Sequence, residues 1–198
     1  MGNMGLKKII NSTHIKWKVA VFQFRKKLYG FDNANVYLQS VDSRAIIPIL
    51  KKNGAKIGEG CKFKTPLFID NPKGSYKNLQ LGKGISIGAN TYIDLMDEVI
   101  IGDYTGVGPG VSFLTHWHVG DVPLKKLFPF KTDKIVIDEN CFIGLDCTIL
   151  YGTRLKEFTL IGARSLVSGT FPSGSLAEGN PAKVTSQLRE RALAKLKN

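Results

Sequence analysis

The sequence predicts a mainly β fold, a parallel β-helix of six-residue repeats interrupted by an excursion loop. From Ile137 an aliphatic residue recurs at every sixth position, through Ile143, Ile149, Leu155 and Ile161 to Val167. The same period runs upstream in Ile57, Phe63 and Ile69, in Leu81, Ile87 and Ile93, and, after a two-residue slip, in Ile101, Val107 and Phe113. Glycine directly follows many of these positions, at Gly58, Gly82, Gly88, Gly102, Gly108, Gly144 and Gly162. Neither a helix of 3.6 residues per turn nor an alternating strand has a period of six. A coil with three short flat faces does.

Each hexad then forms one face of a coil, with its aliphatic residue pointing inward. The Gly or Asp that follows, as in Ile69-Asp70, Ile93-Asp94 and Ile137-Asp138, is expected at a corner that needs positive φ. With three hexads per turn, residues 18 apart should stack at strand spacing, Ile143 over Ile161 and Ile69 over Ile87. Cys61, Cys141 and Cys147 each fall four residues after an inward aliphatic residue, and no CxxC motif is present. We read them as small packing residues.

The repeat divides the 198-residue chain into a basic N-terminal segment (1–56), the repeat region (57–171, with a loop at 114–136) and a C-terminal loop and helix (172–198). The net charge of +12 sits at the ends: residues 1–56 carry 11 Lys/Arg against 2 Asp/Glu, whereas 57–171 carry 12 of each. A neutral body with a basic arm argues against nucleic-acid binding, which favours a basic stripe across the folded surface. No apolar run reaches the 18 or so residues of a membrane span, and MGNMGLKKII lacks a signal peptide's apolar region, so a cytoplasmic protein is expected.

Within the arm, residues 6–31 place Ile10, Trp17, Val21, Phe24 and Leu28 at helical spacings between lysines and arginines, while the alternation of Trp17, Val19 and Val21 keeps a strand open as the alternative. Such a basic amphipathic helix either caps the open end of the solenoid or packs in an oligomer, or else lies on an anionic membrane surface. Residues 186–198, SQLRERALAKLKN, read as a second, short helix.

The period lapses between Phe113 and Ile137, where THWHVGD opens a long segment containing two prolines, four lysines and three aromatics. A loop of that length in a compact solenoid is functional or disordered, and its aromatics argue against disorder. Two of the chain's three histidines, His116 and His118, lie in it.

Together, the hexads, the segment VIIGDYTGVGPGVSFLTH and the ending EGNPAKV (178–184) resemble the hexapeptide-repeat acyltransferases, in particular the sugar O-acetyltransferases. The resemblance spans residues 57–185. It implies a left-handed parallel β-helix, a homotrimer with active sites between subunits, acetyl-CoA as acyl donor and a saccharide acceptor; the membrane-surface reading of the arm would add surface-polysaccharide synthesis at the inner membrane face as a setting. By position His116 matches the catalytic histidine, a general base for acyl transfer to a hydroxyl. Asp94, 22 residues earlier, is the candidate to hold that ring or the acceptor. Trp117, His118 and Asp121 are candidate acceptor contacts. Phe142, Gly144, Ala163, Ser168 and Lys183 fall where the family meets the donor. The chain reads Val167-Ser168-Gly169-Thr170 where many relatives carry a lysine, so donor phosphates must rely on Lys183, Arg164 or a neighbouring subunit.

Two other classes remain open, N-acylation of an amino sugar and a non-catalytic trimeric scaffold. The γ-class carbonic anhydrases share the β-helix but use three histidines. Here the third, His14, lies in the arm, and no metal is expected.

Overall fold

A computed structural model describes residues 2–188, with side chains from residue 12 onward. Three parallel sheets form the faces of a β-helix. One runs through Lys56–Ile57, Leu79–Leu81, Val99–Ile101, Ile135–Ile137, Arg154–Leu155 and Thr170–Phe171. The second runs through Lys62–Phe63, Ser86–Ile87, Gly106–Val107, Phe142–Ile143, Leu160–Ile161 and Ser175–Gly179, and the third through Leu67–Asp70, Thr91–Asp94, Ser112–Leu114, Thr148–Leu150 and Leu166–Val167. The aliphatic residue of each hexad is buried, so the core is a column of stacked side chains. Among the described residues no helix is long and apolar enough to cross a membrane.

Ile143 stacks on Ile161 and Ile149 on Val167, as an 18-residue turn requires. Ile69 does not stack on Ile87. It pairs with Ile93, while Ile87 pairs with Phe63 and Val107. The first turn is longer because the chain leaves the coil after Asp70 and returns at Leu79, and Tyr76 of this insertion is fully buried against the N-terminal helix.

The corner chemistry also differs from expectation. The glycines that directly follow the inward residue are absent from the positive-φ positions; they are glycines because the next coil lies against them. A Cβ on Gly102 would meet Glu139 N at 2.6 Å, and one on Gly144 would meet Ala163 N at 2.6 Å. Positive φ occurs three residues after the inward residue, and there Asn90, Asn140 and Asp146 serve, as well as Gly60, Gly84 and Gly110. Asn and Asp tolerate that region because a short polar side chain can bond locally.

Helix α1 (Gly2–Leu38) is bent at Gly30, whose φ of 83° and ψ of 172° are non-helical. Helix α2 (Ser43–Lys52), not expected from the sequence, starts at Asp42, whose side chain accepts from Arg44 N. It buries Ala45, Ile46, Ile49 and Leu50 over the open end of the first coil, which is the capping element. Helix α1 packs on α2 with Phe22 buried and Ile15, Val19 and Phe31 partly so. The expected apolar face is therefore turned outward: Trp17, Phe24 and Leu28 are 57%, 60% and 54% exposed. Packing against Tyr76 and α2 selects the opposite side of the helix.

At the C-terminus the expected loop is a hairpin, in which Ser175–Gly179 pairs antiparallel with Ala182–Gln187 and adds a last strand to the second sheet. The expected helix cannot begin at residue 186, which lies in that strand. Its remainder from residue 189 lies outside the described residues.

Candidate active site

The excursion leaves the third sheet after Leu114, and its two ends pair antiparallel, His116 with Thr132 and Trp117 with Lys131. His116 is thus set on a short strand and not on a free loop. Thr132 reinforces the closure, its hydroxyl donating to Thr115 O at 3.0 Å.

Asp94 ends the neighbouring strand one coil below and is fully buried. Its Oδ2 lies 2.6 Å from His116 Nδ1 and accepts from Thr115 N at 2.9 Å and Thr115 Oγ1 at 2.6 Å. Its Oδ1 accepts from Asn71 Nδ2 at 2.8 Å and Met96 N at 3.1 Å. Burial pushes this carboxyl up, but the hydrogen bonds from Thr115, His116, Asn71 and Met96 outweigh it and hold Asp94 below the ordinary carboxylate value. An ionised Asp94 makes Nδ1 of His116 the donor, which leaves Nε2 with its lone pair. The His116 side chain is 23% exposed and stacks on Phe130, with ring centroids 5.9 Å apart at 30°.

His118 meets the edge of the same Phe130 at 6.0 Å and is otherwise exposed. Trp117 packs beside Phe128. Asp121 is 90% exposed and pairs with Lys125 at 2.7 Å. The structure thus brings Asp94 and His116 together, sets His118 across Phe130 from them, and gives Asp121 a partner of its own. Asn71, Thr115 and Phe130 were not read from the sequence as site residues. Thr115 adjoins His116, but nothing in the chain's spacing points to Asn71, 23 residues before Asp94 across the lengthened first turn.

Of the positions assigned to the donor, Gly144 and Ala163 stack at one corner of successive coils, next to Phe142 on the second sheet. Phe142, Leu160 and Leu176 line an apolar cleft of about 360 Å³. Lys183 is exposed on the hairpin opposite Glu178. Ser168 sits apart from these, at the corner after Leu166–Val167. The Ala163 N–H has no partner among the described residues. His14 is hydrogen-bonded to Asp42 at 2.9 Å, on the helices and not on the coils, and no group of three or more His, Cys, Asp or Glu among the described residues is arranged to hold a metal ion. The three cysteines are buried and unpaired.

A β-helix of hexads with a carboxylate-held histidine at the root of its excursion defines a class, and the chain belongs to the hexapeptide-repeat acyltransferase family. Within it the similarity runs to the sugar O-acetyltransferases. The chain is 33% identical over 144 residues to galactoside O-acetyltransferase of Lactococcus lactis, covering 72% of this chain and 67% of that protein. The fold is shared with a hexapeptide-repeat acetyltransferase from Vibrio cholerae, at a TM-score of 0.61 and 20% identity over 89% of this chain and 94% of that one. It is also shared with a galactoside acetyltransferase in complex with coenzyme A, at a TM-score of 0.61 and 22% identity over 76% and 73%. No protein-family model matches the chain.

Proposed function

We propose that the protein transfers an acetyl group from acetyl-CoA to a saccharide hydroxyl, with His116 as general base and Asp94 as the residue that orients it. The observation that carries this is the 2.6 Å bond from His116 Nδ1 to an ionised, buried carboxylate, which fixes the tautomer whose Nε2 can take a proton. The acceptor hydroxyl gives its proton to Nε2 as its oxygen attacks the thioester carbonyl. The C–S bond then breaks, and the imidazolium returns the proton to the leaving thiolate.

Phe142, with the apolar cleft it lines, suits the pantetheine chain, the unused Ala163 N–H suits one of its carbonyls, and Ser168 and Lys183 supply a hydroxyl and a cation for its polar parts. Gly144 serves by letting the coil of Ala163 pack on it. Trp117, His118 and Asp121 flank the acceptor side. In the protomer every residue from 121 to 134 is exposed, including Leu127 at 75% and the aromatics Phe128 and Phe130. Exposed apolar side chains on the excursion support a homotrimer with sites between subunits, in which a neighbouring subunit would cover them. Unpaired cysteines favour a reducing compartment, the cytoplasm. A basic helix that held the protein at an anionic membrane face would favour an acceptor made there, as in surface-polysaccharide synthesis.

Thiol release from acetyl-CoA in the presence of galactosides, with product analysis, tests the reading. His116→Ala should lower turnover by roughly 10²- to 10⁴-fold. Unchanged turnover excludes His116 as the base, and an amide product from amino sugars with no ester from any sugar excludes O-transfer.

A further inference from the structure

We infer that the outward face of α1 is a docking surface for an anionic lipid bilayer. At about 100° per residue, Trp17, Val21, Phe24 and Leu28 fall within about 60° of one another on the side turned away from α2. Lys16 and Lys27 lie about 90° to one side of this ridge, and Lys18 and Arg25 about as far to the other. Tyr29, 66% exposed, extends the flank occupied by Lys18 and Arg25. An apolar ridge between two basic rows is the arrangement a helix adopts in the plane of an interface. Its ridge enters the acyl boundary while the long cationic side chains reach back to the headgroups.

The charge is unspent within the protomer. Among the described residues none of Lys16, Lys18, Arg25, Lys26 and Lys27 meets a carboxylate. Arg25 and Lys26 instead bond the amide oxygens of Asn33 and Asn53, and Lys18 and Arg25 lie over aromatic rings. A second copy seated face to face would set these cations against their own likeness, since a two-fold contact pairs a patch with itself. Nucleic acid would meet a ridge of bulky apolar groups where phosphates need cations. An anionic bilayer satisfies both parts of the face, and each cation near the surface adds attraction that salt screens.

Vesicle binding is measured without turnover, so this inference and the acetyltransferase reading fail separately. The full chain is sedimented with vesicles of phosphatidylcholine alone and of phosphatidylcholine mixed with phosphatidylglycerol. We expect recovery in the pellet with the mixed vesicles only, reversed by salt. The variant W17S/F24S/L28S, which removes only exposed side chains, should lose at least about 10-fold in partitioning, as should K16Q/K18Q/R25Q/K27Q. Three results would overturn the inference: no pelleting with either vesicle, pelleting that neither variant weakens, and light scattering in which W17S/F24S/L28S dissociates an oligomer of the parent. The same holds for tight binding of duplex DNA, without vesicle binding, by the parent and not by K16Q/K18Q/R25Q/K27Q.

Discussion

Asp94→Asn isolates the electrostatic contribution of the orienting carboxylate at nearly constant shape. In the parent, Oδ2 accepts from Thr115 N, Thr115 Oγ1 and His116 Nδ1, and Oδ1 accepts from Asn71 Nδ2 and Met96 N. An amide has one oxygen for these two sides. If the oxygen takes the Oδ2 place, the new NH2 group faces Asn71 Nδ2 and Met96 N; the Asn71 amide can turn its oxygen to meet it, but Met96 N loses its acceptor at a cost of about 1–3 kcal/mol in stability. If the amide turns the other way, it faces Nδ1 of His116 with hydrogens and favours the tautomer whose Nε2 is already protonated. In the first case the developing imidazolium keeps a hydrogen bond to a neutral oxygen but loses the carboxylate's opposite charge, a loss of about 1.5–3 kcal/mol. At 1.36 kcal/mol per decade that is about 10- to 150-fold in kcat. The second case costs more, because the base is absent. Thiol release at saturating acetyl-CoA measures the effect, and KM for the donor should stay near the parent value because the lost interaction forms in the transition state. A thermal melt run alongside confirms that the variant is folded. A folded Asp94→Asn protein within about twofold of the parent in kcat would refute the orienting role.

The other expectations concern stability. Gly102→Ala forces a Cβ to 2.6 Å from Glu139 N, a backbone atom of the next coil that cannot rotate away; overpacking of about 1–3 kcal/mol predicts a melting temperature lower by about 2–12 °C, and an unchanged melt would show that the coils are not in contact there. Because the folded pKa of Asp94 lies below its unfolded value of about 3.9, its contribution is complete above that value and is lost as pH falls through the folded pKa. Urea midpoints followed from pH 6 downward should therefore fall more steeply below about pH 4 in the parent than in Asp94→Asn, and equal slopes would contradict the depressed pKa.

Most of the coil was legible because the inward position tolerates only apolar side chains and recurs at a fixed interval. The interval itself is local, so the register held where successive hexads are uninterrupted, as at Ile143 on Ile161. It failed at Ile69, where an insertion changes the length of one turn and hence every pairing across it. The glycines were legible as punctuation and misread as to cause: a sequence records that no Cβ is wanted, but not whether φ or a neighbouring strand forbids it. Helix α1 shows a related ambiguity. Apolar residues at helical spacing fix which side chains share a face, and only the position of Tyr76 and α2 decides which face turns inward.

The same insertion joins the arm to the candidate site. Asp94 is bound by residues from three successive turns: Asn71 just past the first, Met96 beside it on the second and Thr115 with His116 on the third. Asn71 begins the insertion whose Tyr76 packs against Phe22 and Phe31 of α1 and gives its hydroxyl hydrogen to Asn35 Oδ1 at 2.9 Å. Asn35 in turn donates to Ile69 O at 2.8 Å, two residues before Asn71. A helix with no side chain at the histidine among its described residues thus holds both ends of the short segment that presents Asn71 to Asp94. Its distance from the chemistry is bridged by stacked coils, which keep their spacing because each turn is hydrogen-bonded to the next. The basic arm is therefore part of what sets the carboxylate behind His116, and its inward face is constrained by the site even though its outward face is free to serve a surface.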